Sequence, residues 1–255
     1  MDNEAGESYL KSKRRAADAL GIVLRHESPM GLSEADAIAF IAKLDASPDV
    51  DAILVQLPLP QGYDGSKVLA AISPAKDVDG LCAANAGALL APSVAHKFAP
   101  CTAEACIEIL KSVDCELRGA NICVVGASRV VGLPLALLLI QEGATPTICH
   151  IHTKDLENHT RRADIVVVAV GRAGLIRPEM VEPGTIVVDV GINRVTDDQG
   201  RTKLVGDAAI NNIPGVRITP VPGGVGPVTT ALLMKHVVVA AESSAACDQP
   251  RMNLC

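Results

Sequence analysis

"ICVVGASRVVGLPLALLL", residues 122–139, reads as a buried strand, a glycine turn and the start of a helix. Its β-branched run ends at Gly126, and Pro134 stands just inside the helical stretch, where its missing N–H was an orphan donor anyway. A dinucleotide fingerprint would place glycines at the first, third and sixth positions of such a turn. Here Gly126 is followed by Ala127 and Ser128, and the next glycine, Gly132, arrives one residue late. Gly126 offers a backbone without Cβ where N–H groups approach a pyrophosphate, Ser128 adds a hydroxyl, and Gly132 lets helix and strand pack closely. A βα turn with no ligand fits the same residues. The neighbouring segments have to decide.

They form a series. "NICVVGA" (121–127), "TPTICHI" (145–151), "ADIVVVAVG" (163–171) and "GTIVVDVGI" (184–192) are near-continuous β-branched runs, with "RITPV" (217–221) later. Such runs suit parallel strands covered on both faces, and helical segments such as "LPLALLLIQEG" lie between most of them. The predicted fold class is α/β: a Rossmann-like, doubly wound nucleotide-binding domain, with ligand expected at the carboxyl ends of its strands.

Upstream, "ESYLKSKRRAADALGI" reads as a helix ended near Gly21, and "GLSEADAIAFIAKLDA" as a second helix capped by Ser33. "VDAILVQLPLP" (50–60) reads as a buried strand ended by Pro58 and Pro60, "GSKVLAAISP" as a short helix and "KDVDGL" as a loop. "TAEACIEILKSV" reads as a helix with Thr102 as N-cap. After "PVPGGVGP" an apolar helix has two homes, on the nucleotide-binding sheet or back against the first domain. The expected organisation is a smaller α/β catalytic domain over 1–104 completed by the helix 227–244, a nucleotide-binding domain over 105–226, and a tail over 245–255.

Composition removes several classes. Net charge is −6 and aromatic residues are 2%, so neither a basic nucleic-acid surface nor a base-stacking platform is expected. Eight scattered cysteines without a C-x-x-C pair read as reduced thiols, and six histidines lack zinc-ligand spacing, so no metal site is expected. No apolar run reaches the roughly 18 residues of a membrane span without Gly, Pro or polar interruption. The expected location is the cytoplasm, with a mitochondrial one open if the native N terminus is missing.

Candidate chemistry lies in short segments. "SYLKSK" puts Tyr9 and Lys13 four apart on one helical face, either a ring-stacking phenol beside an amine or merely a solvated basic face. Gln56 ends a buried run, where an amide rarely sits without a partner. "KDVDG" offers Asp77 and Asp79 as an Asx-type turn or a ligand carboxylate. "PGGVGP" is poor in side chains and suits close approach by a flat ligand. Past the second strand, "CHIHTK" has no carboxylate until Asp155, which would tolerate the 2′-phosphate of NADP.

In this order, Y-x-x-x-K at Tyr9–Lys13, "VQLPLP", "KDVDG", "PCT" at 100–102, "VVGASRVVGLP", "VVDVGIN" and "TPVPGGVGPVT" closely resemble the bifunctional methylenetetrahydrofolate dehydrogenase/cyclohydrolase family. The resemblance reaches nearly to residue 243 and implies a glycine turn of wider spacing than G-x-G-x-x-G. It implies oxidation of 5,10-methylenetetrahydrofolate to the methenyl cation with NADP (NAD kept open), then hydrolysis to 10-formyltetrahydrofolate, in one-carbon metabolism. It implies Lys13 as the proton-transferring group, Gln56 orienting it, Tyr9 stacking on the p-aminobenzoyl ring and Asp79 accepting from the pterin. Val55, Leu57, Pro222, Gly223, Gly224, Val225 and Gly226 would complete the folate wall. Gly126, Ala127, Ser128, Ile151, His152, Gly171, Ile192 and Thr229 would meet the cofactor, in a cleft between the domains. A homodimer through the nucleotide-binding domain is implied as well.

Three departures stand against it. The family's first domain begins roughly forty residues earlier, and loss of a strand and helix would expose a sheet edge. A serine common three residues before the tyrosine is Gly6 here, and Ile151 stands where an arginine or serine usually meets the 2′-phosphate. The competing readings are another NAD(P)-dependent dehydrogenase of a small acid and an inactive truncated remnant.

Overall fold

The computed structural model describes residues 4–28, 31–91, 98–113, 115–196, 200–210 and 213–247. Contacts divide the chain into two units, Met1–Cys101 with Thr230–Cys255, and Thr102–Thr229.

In the first unit α1 (Glu4–Ala19) ends where Ile22 N–H returns to the Ala17 carbonyl at 2.9 Å. Helix α2 (Glu34–Asp45) starts as expected at Ser33, whose hydroxyl accepts from Asp36 N–H at 3.2 Å. It packs on α3 (Gly65–Leu69) through a cluster of Ile41, Ile53, Val68 and Ile72. A short α4 (Ala83–Ala88) follows, which the sequence reading did not foresee. The strand expected over 50–60 is not formed. Ile53 makes an isolated parallel bridge with Asp77, its N–H donating to the Lys76 carbonyl at 2.8 Å. An extended run becomes a strand only with a partner along its length, and Pro58 and Pro60 donate nothing to one.

The last helix, α8 (Val225–Cys247), runs past the expected start of the tail, and residues 248–255 lie outside the described part. Leu233, Met234 and Ala240 are buried with Ala17, Val78, Phe98 and Cys101, so the helix returns to the first unit. By length and composition alone α8 is apolar enough to cross a membrane. The buried face makes it a core helix instead, and each fully buried Leu or Met adds about 1.5–3 kcal/mol of transfer free energy.

The second unit opens with α5 (Cys101–Ser112), which begins one residue before Thr102, so that threonine lies inside the helix and not at its cap. The expected strand series follows as β1 (Asn121–Val125), β2 (Thr145–Cys149), β3 (Ile165–Val168), β4 (Ile186–Asp189) and, after a hairpin, β7 (Arg217–Ile218). They form one sheet in the order β2-β1-β3-β4-β7, parallel throughout. The three central strands β1, β3 and β4 are buried nearly end to end. Helices α6 (Gly132–Gln141) and α7 (Leu156–Arg161) occupy connections between strands. The hairpin, β5 (Asn193–Thr196) with β6 (Thr202–Val205), is antiparallel and largely exposed.

Candidate active site

The first unit brings three of the expected side chains into one electrostatic group. Lys13, on α1, donates from Nζ to Gln56 Oε1 at 2.7 Å. The amide is itself oriented, because Gln56 Nε2 donates to the Leu57 carbonyl at 3.0 Å and so leaves Oε1 facing the amine. Gln56 is exposed rather than buried, and what holds it is this pair of bonds. Val55 and Leu57 flank it, half-buried. Tyr9 lies one helical turn before Lys13 on α1, and its side chain is outside the described part.

Burial lowers the Lys13 pKa from its ordinary value, opposed by the charges of Asp79 and Cys101. Asp79 moves the other way. Burial raises it to about 6, against the pull of Lys13, with Asp77 raising it further and a hydrogen bond from Cys101 and the charge of His236 lowering it. An amine easier to deprotonate thus sits near a carboxylate easier to protonate, the separation expected of acid–base groups.

The loop carrying Asp79 is clamped from behind. Asp77 is 1% exposed and accepts from Cys82 N–H at 2.7 Å and Asn85 Nδ2 at 3.0 Å. Gly80, at φ +68°, has no room for a Cβ against the Ala99 backbone. His236 from α8 approaches the Val78 carbonyl through Nδ1 at 2.9 Å and the Cys101 thiol at 3.4 Å, with its ring 4.9 Å from that of Phe98. Sequence reasoning passed over Cys101 and His236. The thiol reads in the sequence as one of the scattered reduced cysteines, although "PCT" is among the matching motifs; the histidine is 135 residues away in sequence and carries no local signal.

In the second unit the glycine turn is packed closely. A Cβ on Gly132 would run into the Gly126 carbonyl, and one on Gly126 (φ +118°) into the Ala169 carbonyl. The wide glycine pair therefore serves one close crossing of strand and helix at the carboxyl end of the sheet. Ser128 Oγ accepts from Val131 N–H at 3.1 Å, acting as a turn cap, and Ala127 is half-buried beside it. Ile151 is 92% exposed, and His152 beside it is exposed too. His152 N–H donates to His150 Nδ1 at 3.1 Å, so the turn after β2 presents imidazoles and no carboxylate.

Gly171 and Ile192 are exposed just past the ends of β3 and β4. The glycine loop proves shorter than its motif. Pro222, Gly223 and Gly224 form a turn, whereas Val225 and Gly226 already belong to the first turn of α8, with Thr229 Oγ1 donating to the Val225 carbonyl at 3.1 Å.

A cradle with no space for Cβ atoms, followed by a helix and by a strand end without a carboxylate, fits a dinucleotide carrying a 2′-phosphate. Comparison with known proteins agrees. A profile for the tetrahydrofolate dehydrogenase/cyclohydrolase catalytic domain matches residues 1–79, and one for the NAD(P)-binding domain of the same proteins matches 100–245. The "Bifunctional protein FolD" of Ralstonia nicotianae is 49% identical over 248 residues, 96% of this chain and 83% of the relative. Among solved structures, the methylenetetrahydrofolate dehydrogenase-cyclohydrolase of Trypanosoma brucei, complexed with NADP and an inhibitor, superposes with a TM-score of 0.88 at 36% identity, over 95% of this chain and 84% of that one. The bifunctional FolD enzyme of Campylobacter jejuni gives 0.87 at 40%, over 95% and 86%. With both halves of the fold and nearly its whole length matched, the chain belongs to the tetrahydrofolate dehydrogenase/cyclohydrolase family.

Proposed function

We propose that the chain oxidises 5,10-methylenetetrahydrofolate to the methenyl cation with NADP and then hydrolyses that cation to 10-formyltetrahydrofolate. The observation that carries this reading is the Lys13–Gln56 pair, a half-buried amine held at 2.7 Å by an oriented amide and sharing its surroundings with Asp79. When bound, NADP supplies the hydride acceptor. Gly126, Ala127 and Ser128 would hold its pyrophosphate end, and His152 beside Ile151 would meet the 2′-phosphate; Gly171, Ile192 and Thr229 would line its path. Hydride loss leaves positive charge that the folate nitrogen lone pairs stabilise, so this step asks chiefly for positioning.

The hydrolysis asks for proton transfer. Lys13, its pKa lowered by burial, takes a proton at Nζ from the water that attacks the methenyl carbon. As the C–N bond breaks, Lys13 returns the proton to the ring nitrogen while the hydroxyl proton of the tetrahedral adduct passes to solvent and the formyl C=O forms, so hydrolysis releases one proton overall. Gln56 keeps the amine on one trajectory. Asp79, ionised above about pH 6, accepts from the pterin N–H groups, while Tyr9 stacks on the p-aminobenzoyl ring. Val55 and Leu57, which flank Gln56, complete the folate contacts of the first unit.

The chain works in the cytoplasm as a two-fold dimer through its nucleotide-binding unit. Six described cysteines stand outside any disulfide, which suits a reducing compartment, and β2 is a sheet edge available to a second copy. Sedimentation at micromolar concentration tests the dimer.

Lys13→Ala tests the chemistry. With methylenetetrahydrofolate and NADP, wild type forms the 10-formyl product. The variant still reduces NADP but accumulates the methenyl species, its hydrolysis down about 10²–10⁴-fold, the usual range for a lost general base. Equal hydrolysis by both proteins would remove Lys13 from the mechanism.

A further inference from the structure

Two buried carboxylates of the second unit have no place in the chemistry above. Asp189 ends β4 and is 2% exposed; Asp207 follows β6 and is fully buried. Asp189 reaches across to the segment that carries Asp207, and Asp207 reaches to the loop after β3 and to Asn193. Asp189 Oδ1 accepts from Gly191 N–H at 2.9 Å and Asp207 N–H at 3.0 Å, and its Oδ2 accepts from Ala208 N–H at 2.8 Å. Asp207 Oδ2 accepts from the N–H groups of Val170 and Gly171 at 2.7 and 2.9 Å. Its Oδ1 accepts from Arg172 N–H and Asn193 Nδ2, both at 2.8 Å.

The glycines between them are fitted to the same carboxylates. A Cβ on Gly191 would strike the Asp207 carboxylate, and one on Gly206 the Asp189 carboxylate. Asp189 N–H also donates to Thr219 Oγ1 at 2.8 Å, directly after β7.

The loops gathered here leave the carboxyl ends of β3 and β4, the edge of a doubly wound sheet where ligands bind. We infer that the Asp189–Asp207 pair is a positioning clasp for the cofactor. Asp207 fixes the Val170–Arg172 loop by three consecutive backbone N–H groups, and Asp189 fixes Asp207 and the strand end that leads to Ile192. Neither carboxylate touches the reacting atoms. Both act through the backbone they hold.

Because the effect is read through NADP, the clasp rests on the function proposed above. Asp207→Asn is the informative change: an amide has one accepting oxygen, and its NH2 would face N–H donors where the carboxylate accepts four. The expected result is a folded protein whose KM for NADP rises about tenfold or more, since charge-assisted hydrogen bonds are lost. The KM for methylenetetrahydrofolate and the cofactor-free hydrolysis of methenyltetrahydrofolate change far less, which a general loss of structure would not spare. Asn193→Ala removes one donor of the four and raises the NADP KM by a smaller factor, about threefold.

A folded Asp207→Asn protein with the wild-type KM for NADP overturns the clasp. If that variant fails to fold, Asn193→Ala decides: a rise confined to NADP supports the clasp, and an unchanged or indiscriminate effect overturns it. Direct titration with NADP separates this proposal from the previous one. No folate turnover by wild type, with NADP binding weakened in Asp207→Asn, keeps the clasp and sinks the function. Full turnover with equal binding does the reverse.

Discussion

Asp79 in the first unit and Asp207 in the second are the same residue in opposite settings. Asp207 is surrounded by four donors that leave its oxygens nothing further to do. Asp79 is half-buried beside an amine, a thiol and a second carboxylate, and burial raises its pKa to about 6. A buried charge saturated by backbone N–H groups is a fastener, whereas one left short of partners keeps an appetite for protons and ligands. The difference separates structural from chemical carboxylates without reference to any motif.

Paired substitutions break the comparison most sharply. Asp189→Asn costs about 2–4 kcal/mol and lowers the thermal midpoint by several degrees, because it leaves buried N–H donors facing an amide. Asp79→Asn does not. The folded pKa of Asp79 is above its unfolded value, so the folded state holds more protons between about pH 4 and 6 and wild-type stability falls as pH rises through that window. The asparagine variant escapes this loss. It melts higher than wild type at pH 7 by a margin that closes as pH falls below about 4, while its affinity for folate is lost. Melting curves at pH 4, 5.5 and 7 for both variants decide it. A common midpoint drop would mean that the two carboxylates do the same work.

What the sequence made legible follows from locality. The strands of the second unit show in the chain because burial on both faces demands unbroken runs such as "IVVV", and the Ser33 cap shows because its partner is three residues away. The hairpin of β5 and β6 stayed hidden, since "NRVT" and "TKLV" are largely exposed and lack a consistent apolar face. Residues 50–60 misled for the opposite reason: their apolar pattern reports burial, not pairing. Lys13 and Gln56 each stand out locally, but only the shared motif order pairs them, because the bond that joins them spans 43 positions. His236 against Cys101, and the exchange between Asp189 and Asp207, exist only in the tertiary structure.

A pH profile sharpens the role given to Asp79. Protonation below about pH 6 removes an acceptor from the pterin, so the KM for methylenetetrahydrofolate rises about tenfold per unit on the acid side, the slope of one titrating group. Circular dichroism keeps its folded signal over the same range. A signal lost in parallel with the rising KM would assign the acid limb to loss of fold.

The smallest expected effect concerns Cys101. Its thiol hydrogen bond holds the Asp79 pKa below where burial alone would put it, so removing it in Cys101→Ala moves the acid limb of the folate KM to higher pH by a fraction of a unit. Cys101→Ser keeps a donor at the same distance along the side chain and returns the limb toward its original position. A structural role for the thiol, packed with Val78 and Phe98, predicts something else: both variants would melt lower and neither would move the limb. The serine variant separates the two, because it restores the hydrogen bond without restoring the sulfur's volume, and only a donor acting on Asp79 can be rescued that way.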